Sequence, residues 1–283
     1  MCAGVIAEGG ESQVARVTVP LSIVGGYTPT NWEISRPITQ PTILDALSGG
    51  RVLYVSADVS VANLVLQNGI SLFSGGGVIA SRLLTLTDVF VLSNTAQAHA
   101  GGIFGNHKLT IYGGLFENNQ AVLQDGGGLY AFNSLEMSGT TLIRNQAGHS
   151  GGGAYIYGTA ELSRDVVQFN SARDGAGAYI NGEARISEGR FLTNVALLQG
   201  GGLFATSLAI SESVLTGNEA NRGGGAYVFG TAEVTGSEIQ SNRAQLGGGV
   251  FASNMVVLGT VVSKNTSQNG AGAYVTGTTL LRN

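Results

Sequence analysis

The chain has 283 residues, a formal net charge of −4 and no cluster of Lys and Arg, which argues against a phosphate-neutralising nucleic-acid surface. Its 45 glycines make up roughly 16% of the residues against a usual ~7%, and charged residues supply only 11%. Because 43% of the residues are hydrophobic, the chain can bury a core, and compositional disorder is not expected.

Apolar runs such as Leu64-Val65-Leu66 and Met255-Val256-Val257-Leu258 fall far short of the ~18–20 residues of a membrane helix, so no membrane span is expected. The single cysteine, Cys2, excludes an intrachain disulfide and reads as an ordinary thiol rather than a lipidation site. Met1-Cys2-Ala3-Gly4 lacks the basic start and apolar stretch of a secretory signal. The reading favoured is an exported chain whose signal has been removed.

Residues 1–50 hold all four prolines (Pro20, Pro29, Pro37, Pro41) and the one tryptophan, Trp32. Val14–Val19 and Leu21–Val24 read as short strands, and Gly25-Gly26-Tyr27-Thr28-Pro29 as a turn into an irregular excursion. This segment is expected to be an N-terminal cap and first irregular coil shielding the repeats that follow. Trp32 is expected to be a packing residue.

From residue 51 one phrase repeats. Aligned on Asn-x-Ala, the copies are Asn94, Asn119, Asn145, Asn170, Asn194, Asn218 and Asn242, with Asn265 closing the series beside Ser267 in place of Ala. Their spacings are 25, 26, 25, 24, 24, 24 and 23. Asn68, with Val65 three residues before it, reads as an earlier member. A Gly-rich run recurs at the same period and leads each time to an aromatic residue: Phe104, Tyr130, Tyr155, Tyr179, Phe204, Tyr227, Phe251 and Tyr274. Between these lies an alternating strand with apolar pairs such as Leu135/Met137, Ala160/Leu162 and Ala184/Ile186. The residues inside those pairs form an outward column: Thr85, Thr110, Glu136, Glu161, Arg185, Ala209, Glu233 and Val256.

Period two means strand, and no helical period appears. One such unit cannot bury its inner face alone, so the coils must stack at ~4.8 Å. The fold class expected is all-β: a single-stranded parallel β-helix (β-solenoid) of about nine or ten coils of ~24 residues over 51–283, its last coil incomplete. The glycines are assigned to corners that need positive φ or close backbone approach. The recurrent asparagines are assigned to an internal amide ladder.

The pairing of Gly-Gly-Gly-[Ala/Leu/Val]-[Tyr/Phe] with [Phe/Leu/Val/Ile]-x-x-Asn resembles the repeats of polymorphic outer-membrane proteins and related secreted parallel β-helix proteins of bacteria. It covers roughly residues 51–283. The resemblance implies right-handed coils, an extracellular or bacterial cell-surface location and adhesion-type roles. The translocating barrel found at the C-terminus of those proteins is missing from this sequence, which puts anchoring by that route in doubt.

The β-helix fold also houses polysaccharide lyases and hydrolases, and hydrolysis wants two carboxylates converging ~5–10 Å apart. The acidic residues are sparse, and Asp45, Asp58, Asp88, Asp125, Asp165 and Asp174 mostly fall at different phases of the repeat. Glu136 and Glu161 share the outward column, with Arg185 next, and Glu161–Arg185 is expected to be a cross-strand charge pair. His99, His107 and His149 lack metal-ligand spacing; His99 and His149 read as solvated turn residues. Asp125-Gly126 and Asp174-Gly175 resemble calcium-binding turns without the tandem nonapeptide such sites need. No phosphate loop or nucleophile elbow occurs, so neither a cofactor nor a metal is expected.

The aromatic column has two readings, a strip that binds glycan rings or another protein and an intrachain stack that stiffens the coil. The sequence stops at Leu281-Arg282-Asn283 before the next Asn-x-Ala. That suggests a fragment of a longer repeat chain, end-to-end self-association, or a capping partner. The function expected is a non-enzymatic extracellular or cell-surface structural, adhesive or self-assembling solenoid, with a carbohydrate-binding or polysaccharide-degrading β-helix as the alternative.

Overall fold

Alternating residues that put every second side chain on one face need a partner strand above and below, and in this chain each strand finds its own copy one repeat away. The computed structural model describes residues 5–6 and 12–282; the thiol reading of Cys2 lies outside them. Three sheets of 19, 10 and 6 strands form the coils; the first two run along the described chain, and the third spans Ile70 to Gln199 and continues as isolated bridges. Pairing between strands is parallel except where the two-residue strand Val5–Ile6 meets Ser12–Val17. The protein is a β-solenoid of about ten turns, and among the described residues it contains no helix. No helix is therefore long and apolar enough to cross a membrane.

Register is kept along the inward columns, with local shifts such as those between Ile180 and Glu183 and between Ala205 and Leu208. In the first sheet Leu84, Leu109, Leu135, Ala160, Ala184, Leu208, Ala232 and Met255 stand directly over one another. Their inward side chains join one continuous buried cluster that runs from Val17 to Val257 and includes the fully buried Phe116 and Phe191. Each buried Leu, Ile, Val, Met or Phe contributes ~1.5–3 kcal/mol as an upper value, and the alanines less. The solenoid is therefore held by repetition of modest terms.

The opening segment takes part in the same stacking. Ser12–Val17, Leu21–Val24 and Thr42–Asp45 lie parallel to Arg51–Val55, Val59–Ala62 and Leu64–Gln67. They form a first coil from which residues 25–41 loop out. Trp32 departs from the expectation of a packing residue: it is 74% exposed and stacks on Tyr27 at 6.2 Å. Its Nε1–H donates to the Pro29 carbonyl at 3.2 Å within the same excursion. The looped-out chain carries the indole away from the core.

The glycine-rich corner has two separate requirements. Gly151, the first of its run, has φ +69°, and Gly153 lies so close to the next coil that a Cβ would be driven into the Gly177 carbonyl oxygen. At the other two corners positive φ is carried largely by residues with side chains, which composition had not suggested. One corner uses Asn63, Asp88, Arg164, Glu188 and Glu212; the other uses Asn68, Ser93, Asn118, Arg144, Phe169 and Thr193. A left-handed residue costs roughly 1–2 kcal/mol. The cost is tolerated because each such N–H is fixed to the next coil, as in Arg164 to the Ser187 carbonyl at 2.9 Å and Thr193 to the Thr216 carbonyl at 2.9 Å.

Thr193 is β-branched, exposed and at φ +54°. Replacing it by glycine (Thr193→Gly) is expected to raise unfolding free energy by about 1 kcal/mol, read from urea unfolding. Destabilisation would mean that the Thr side chain contributes a contact larger than its backbone strain.

Candidate functional site

The second and third sheets meet at a corner where the recurrent asparagines turn inward. Asn94, Asn119, Asn145, Asn170, Asn194, Asn218 and Asn242 are buried. In the middle of the series, the Asn170 Oδ1 accepts the Asn145 backbone N–H at 2.9 Å and the Asn145 Nδ2–H at 3.1 Å. Its own Nδ2 donates to the Leu142 carbonyl at 3.0 Å and to the Asn194 Oδ1 at 3.0 Å. The same bonds continue to Asn265, whose Nδ2 donates to the Ile239 carbonyl at 2.8 Å. Each interior amide, from Asn119 to Asn242, spends both donors and both lone pairs on the adjacent coils.

Asn68 is not a rung of this ladder. Leu66, not Val65, pairs with Val91, so Gly69 occupies the slot and its N–H donates to the Asn94 Oδ1 at 2.8 Å. Asn68 is the left-handed residue just before it and donates to Asp45 Oδ1 at 2.9 Å.

The eight aromatic residues form one unbroken pile. From Phe104 through Tyr130, Tyr155, Tyr179, Phe204, Tyr227 and Phe251 to Tyr274, successive ring centroids are 4.2–5.3 Å apart with interplanar angles of 4–18°. None of the rings is exposed. A sugar ring stacks on an aromatic face, and within the pile each face is occupied by the next ring. The geometry is that of an intrachain stack with only ring edges toward the surface. Burial, and then the nearby Asp125 carboxylate, push the Tyr130 hydroxyl up to about 12.

Beside the pile sits a polar cluster that sequence reasoning missed. His99 and His149 are not simply solvated turn residues: they bracket Asp125 on the intervening coil, with Nδ1 3.3 Å from its Oδ2 and 3.1 Å from its Oδ1 respectively. The Ser150 N–H also donates to Asp125 Oδ1 at 3.0 Å, and the His99 ring lies 4.8 Å from that of Tyr130. Burial raises the Asp125 carboxyl, but the hydrogen bonds of His99 and His149 more than offset it and hold the group below its ordinary range. Among the described residues no group of three or more His, Cys, Asp and Glu is placed to hold a metal ion.

On the first sheet the outward column opens into a groove of about 540 Å³ lined by Tyr112, Glu136, Glu161, Arg185 and Ser163, among others. Glu161 and Arg185 are register neighbours, but they do not form the expected ion pair. Arg185 takes Glu183 on its own strand instead, where that strand is irregular between Ile180 and Glu183. Glu136 is bound by Lys108 Nζ at 2.6 Å and by the Tyr112 hydroxyl at 2.9 Å. The Lys108 contact first, then Tyr112, holds its carboxyl below the ordinary range.

A second aromatic pair, Phe132 and Tyr157, stacks at 5.2 Å and is about half exposed. Alternation carried two residues past Tyr130 and Tyr155 would have located it.

Two substitutions separate the architecture from the surface. Asn170→Ala takes the acceptor from the Asn145 N–H and the side-chain donor from the Leu142 carbonyl oxygen, at ~1–3 kcal/mol each, for an expected loss of about 3 kcal/mol in urea unfolding. A loss below about 1 kcal/mol would mean that water replaces the ladder. Tyr179→Ala removes two ring stacks and is expected to cost about 2–3 kcal/mol, whereas Tyr157→Ala is expected to cost less than about 1. Equal costs would place the two aromatic sets in the same role.

No protein-family model, no curated protein and no solved structure matches this chain.

Proposed function

We propose that the protein is a non-enzymatic extracellular or cell-surface solenoid, acting as a structural or adhesive module. The observation that carries this reading is where the repeated chemistry goes. The asparagine amides, the aromatic faces and the aliphatic side chains of each coil bond or pack against the neighbouring coils. The outward column, by contrast, changes character at almost every step, from Glu136 and Glu161 to Arg185, Ala209, Glu233 and Val256. A repeat selected for one reaction would be expected to converge two carboxylates, and here Glu136 is committed to Lys108 and Tyr112. The resemblance of the repeat to bacterial surface β-helix proteins supports the location.

Self-association belongs to this reading. Leu72, Phe73, Leu123 and Leu197 are strongly exposed, and apolar surface of that kind favours lateral contact between copies.

A second reading, glycan binding, rests on the open groove beside Glu161 and on the exposed Phe132–Tyr157 stack. The test incubates the protein with a panel of polysaccharides and follows turnover, glycan binding and light scattering over a concentration series. Concentration-dependent assembly without turnover is the expected result. Turnover abolished by Glu136→Gln with Glu161→Gln would overturn the proposal, and binding lost in Tyr157→Ala would favour the second reading.

A further inference from the structure

One corner of the solenoid carries a second ladder, and one of its rungs is made from the wrong kind of group. Gly114, Thr140, Asp165, Gly189, Ser213, Ser237 and Thr260 share this slot, each immediately preceding a strand of the second sheet. At Ser213, Ser237 and Thr260 the hydroxyl accepts and donates at once, whereas Thr140 Oγ1 donates to the Gly113 carbonyl on the coil below at 2.9 Å. Ser213 Oγ accepts the Gly189 N–H at 2.9 Å and donates to the Ser211 carbonyl at 2.7 Å. Ser237 Oγ accepts the Ser213 N–H at 3.1 Å and donates to the Thr235 carbonyl at 2.9 Å. Thr260 Oγ1 accepts the Ser237 N–H at 3.2 Å and donates to the Leu258 carbonyl at 3.0 Å.

Asp165 fills only half of that role. Its Oδ1 accepts the Thr140 N–H at 2.8 Å. The residue is 1% exposed, and its Oδ2 has no hydrogen-bond partner. Gly189 on the next coil supplies no side chain to meet it. A carboxylate has no proton to give, whereas a carboxylic acid has one, and the hydroxyls of Ser213, Ser237 and Thr260 give theirs to the carbonyl two residues back, which for Asp165 is that of Ser163.

We propose that Asp165 serves as a neutral, protonated acid in the folded solenoid, completing an accept-and-donate slot, so that its ionisation loosens this one corner. Two features agree. Desolvation is the largest influence on the group and pushes it up to about 7, only partly offset by backbone hydrogen bonds of Thr140 and Ser163 and by the charge of Arg164. Of the charged residues nearest it in the chain register, Arg164 beside it and Glu188 and Arg190 flanking Gly189, only Arg164 bears on the carboxyl. The Arg164 guanidinium is itself turned to Ser138 Oγ at 3.3 Å.

The direction follows from the raised value. The folded state prefers the proton, so the corner is fully held below the ordinary carboxylate range. Stability is then lost as pH rises from that range to about 7, with no further loss above it. The corner joins the coils of Thr140, Asp165 and Gly189, which makes it a pH-sensitive weak point in an otherwise uniform rod.

The experiment compares thermal unfolding of the full chain with that of Asp165→Ser, which installs the group found at Ser213 and Ser237, between pH 4 and 8.5. In parallel, the Asp165 carboxyl carbon is titrated in the wild-type protein by NMR. The expected result is that wild type loses melting temperature relative to the variant as pH rises to neutrality, with the gap constant above it, and that the carboxyl titrates near 7. Parallel melting profiles over the whole range would overturn the proposal. A carboxyl that titrates near 4 would also do so, and that measurement stands even if the variant fails to fold.

Discussion

A coil of about two dozen residues has no interior of its own, and the interaction that fixes one coil at a single height and rotation over the next is the buried asparagine amide. Aliphatic side chains would accept many small slips, because their packing is non-directional. An amide whose two donors and one oxygen are all committed across coils accepts none, since a shift in register strands several buried polar groups together. The hydrophobic cluster supplies most of the favourable free energy, and the ladder decides which of the nearly equivalent stackings it stabilises.

The other features follow from that alignment. Once Asn145 sits under Asn170 and Asn170 under Asn194, the backbones of the adjoining glycine-rich corners are forced together, and only glycine fits where Gly153 meets Gly177. The same alignment sets the aromatic residues one above another, and their rings close into a pile. It also obliges residues such as Thr193 and Phe169 to turn left-handed so that the chain can leave one sheet and enter the next. What remains free is the outward surface, which varies from coil to coil. A rigid support carrying a variable surface is the physical content of the proposed role.

Much of this was legible in the sequence because spacing survives translation into structure. Eight asparagines at nearly constant intervals and an aromatic residue at one phase are enough to set the coil length, the inward face and the ladder. What failed was local. Asn68 fits the asparagine series by type, yet Gly69 holds the slot, because a one-residue offset in the early coil is invisible until Leu66 is seen against Val91. Arg185 has a carboxylate directly across from it and one on its own strand, and composition cannot say which it takes. His99, Asp125 and His149 all stand just before a Gly-rich run, but they differ in type, and only stacking shows both imidazoles meeting one carboxylate across three coils. Trp32 lies in an excursion with no repeat to predict it. Asp165 read as one of several scattered acids until its slot could be compared with the hydroxyls above it.

The most direct test of the ladder is the hydrogen exchange of the asparagine side-chain amides, followed by NMR on the intact protein. Nδ2 protons of Asn119, Asn145, Asn170, Asn194 and Asn218 are buried and doubly bonded. They should exchange only when coils separate, on the timescale of the most protected backbone amides. If instead these protons exchange as fast as the exposed side-chain amides of the same chain while the backbone stays protected, the asparagines do not set the register.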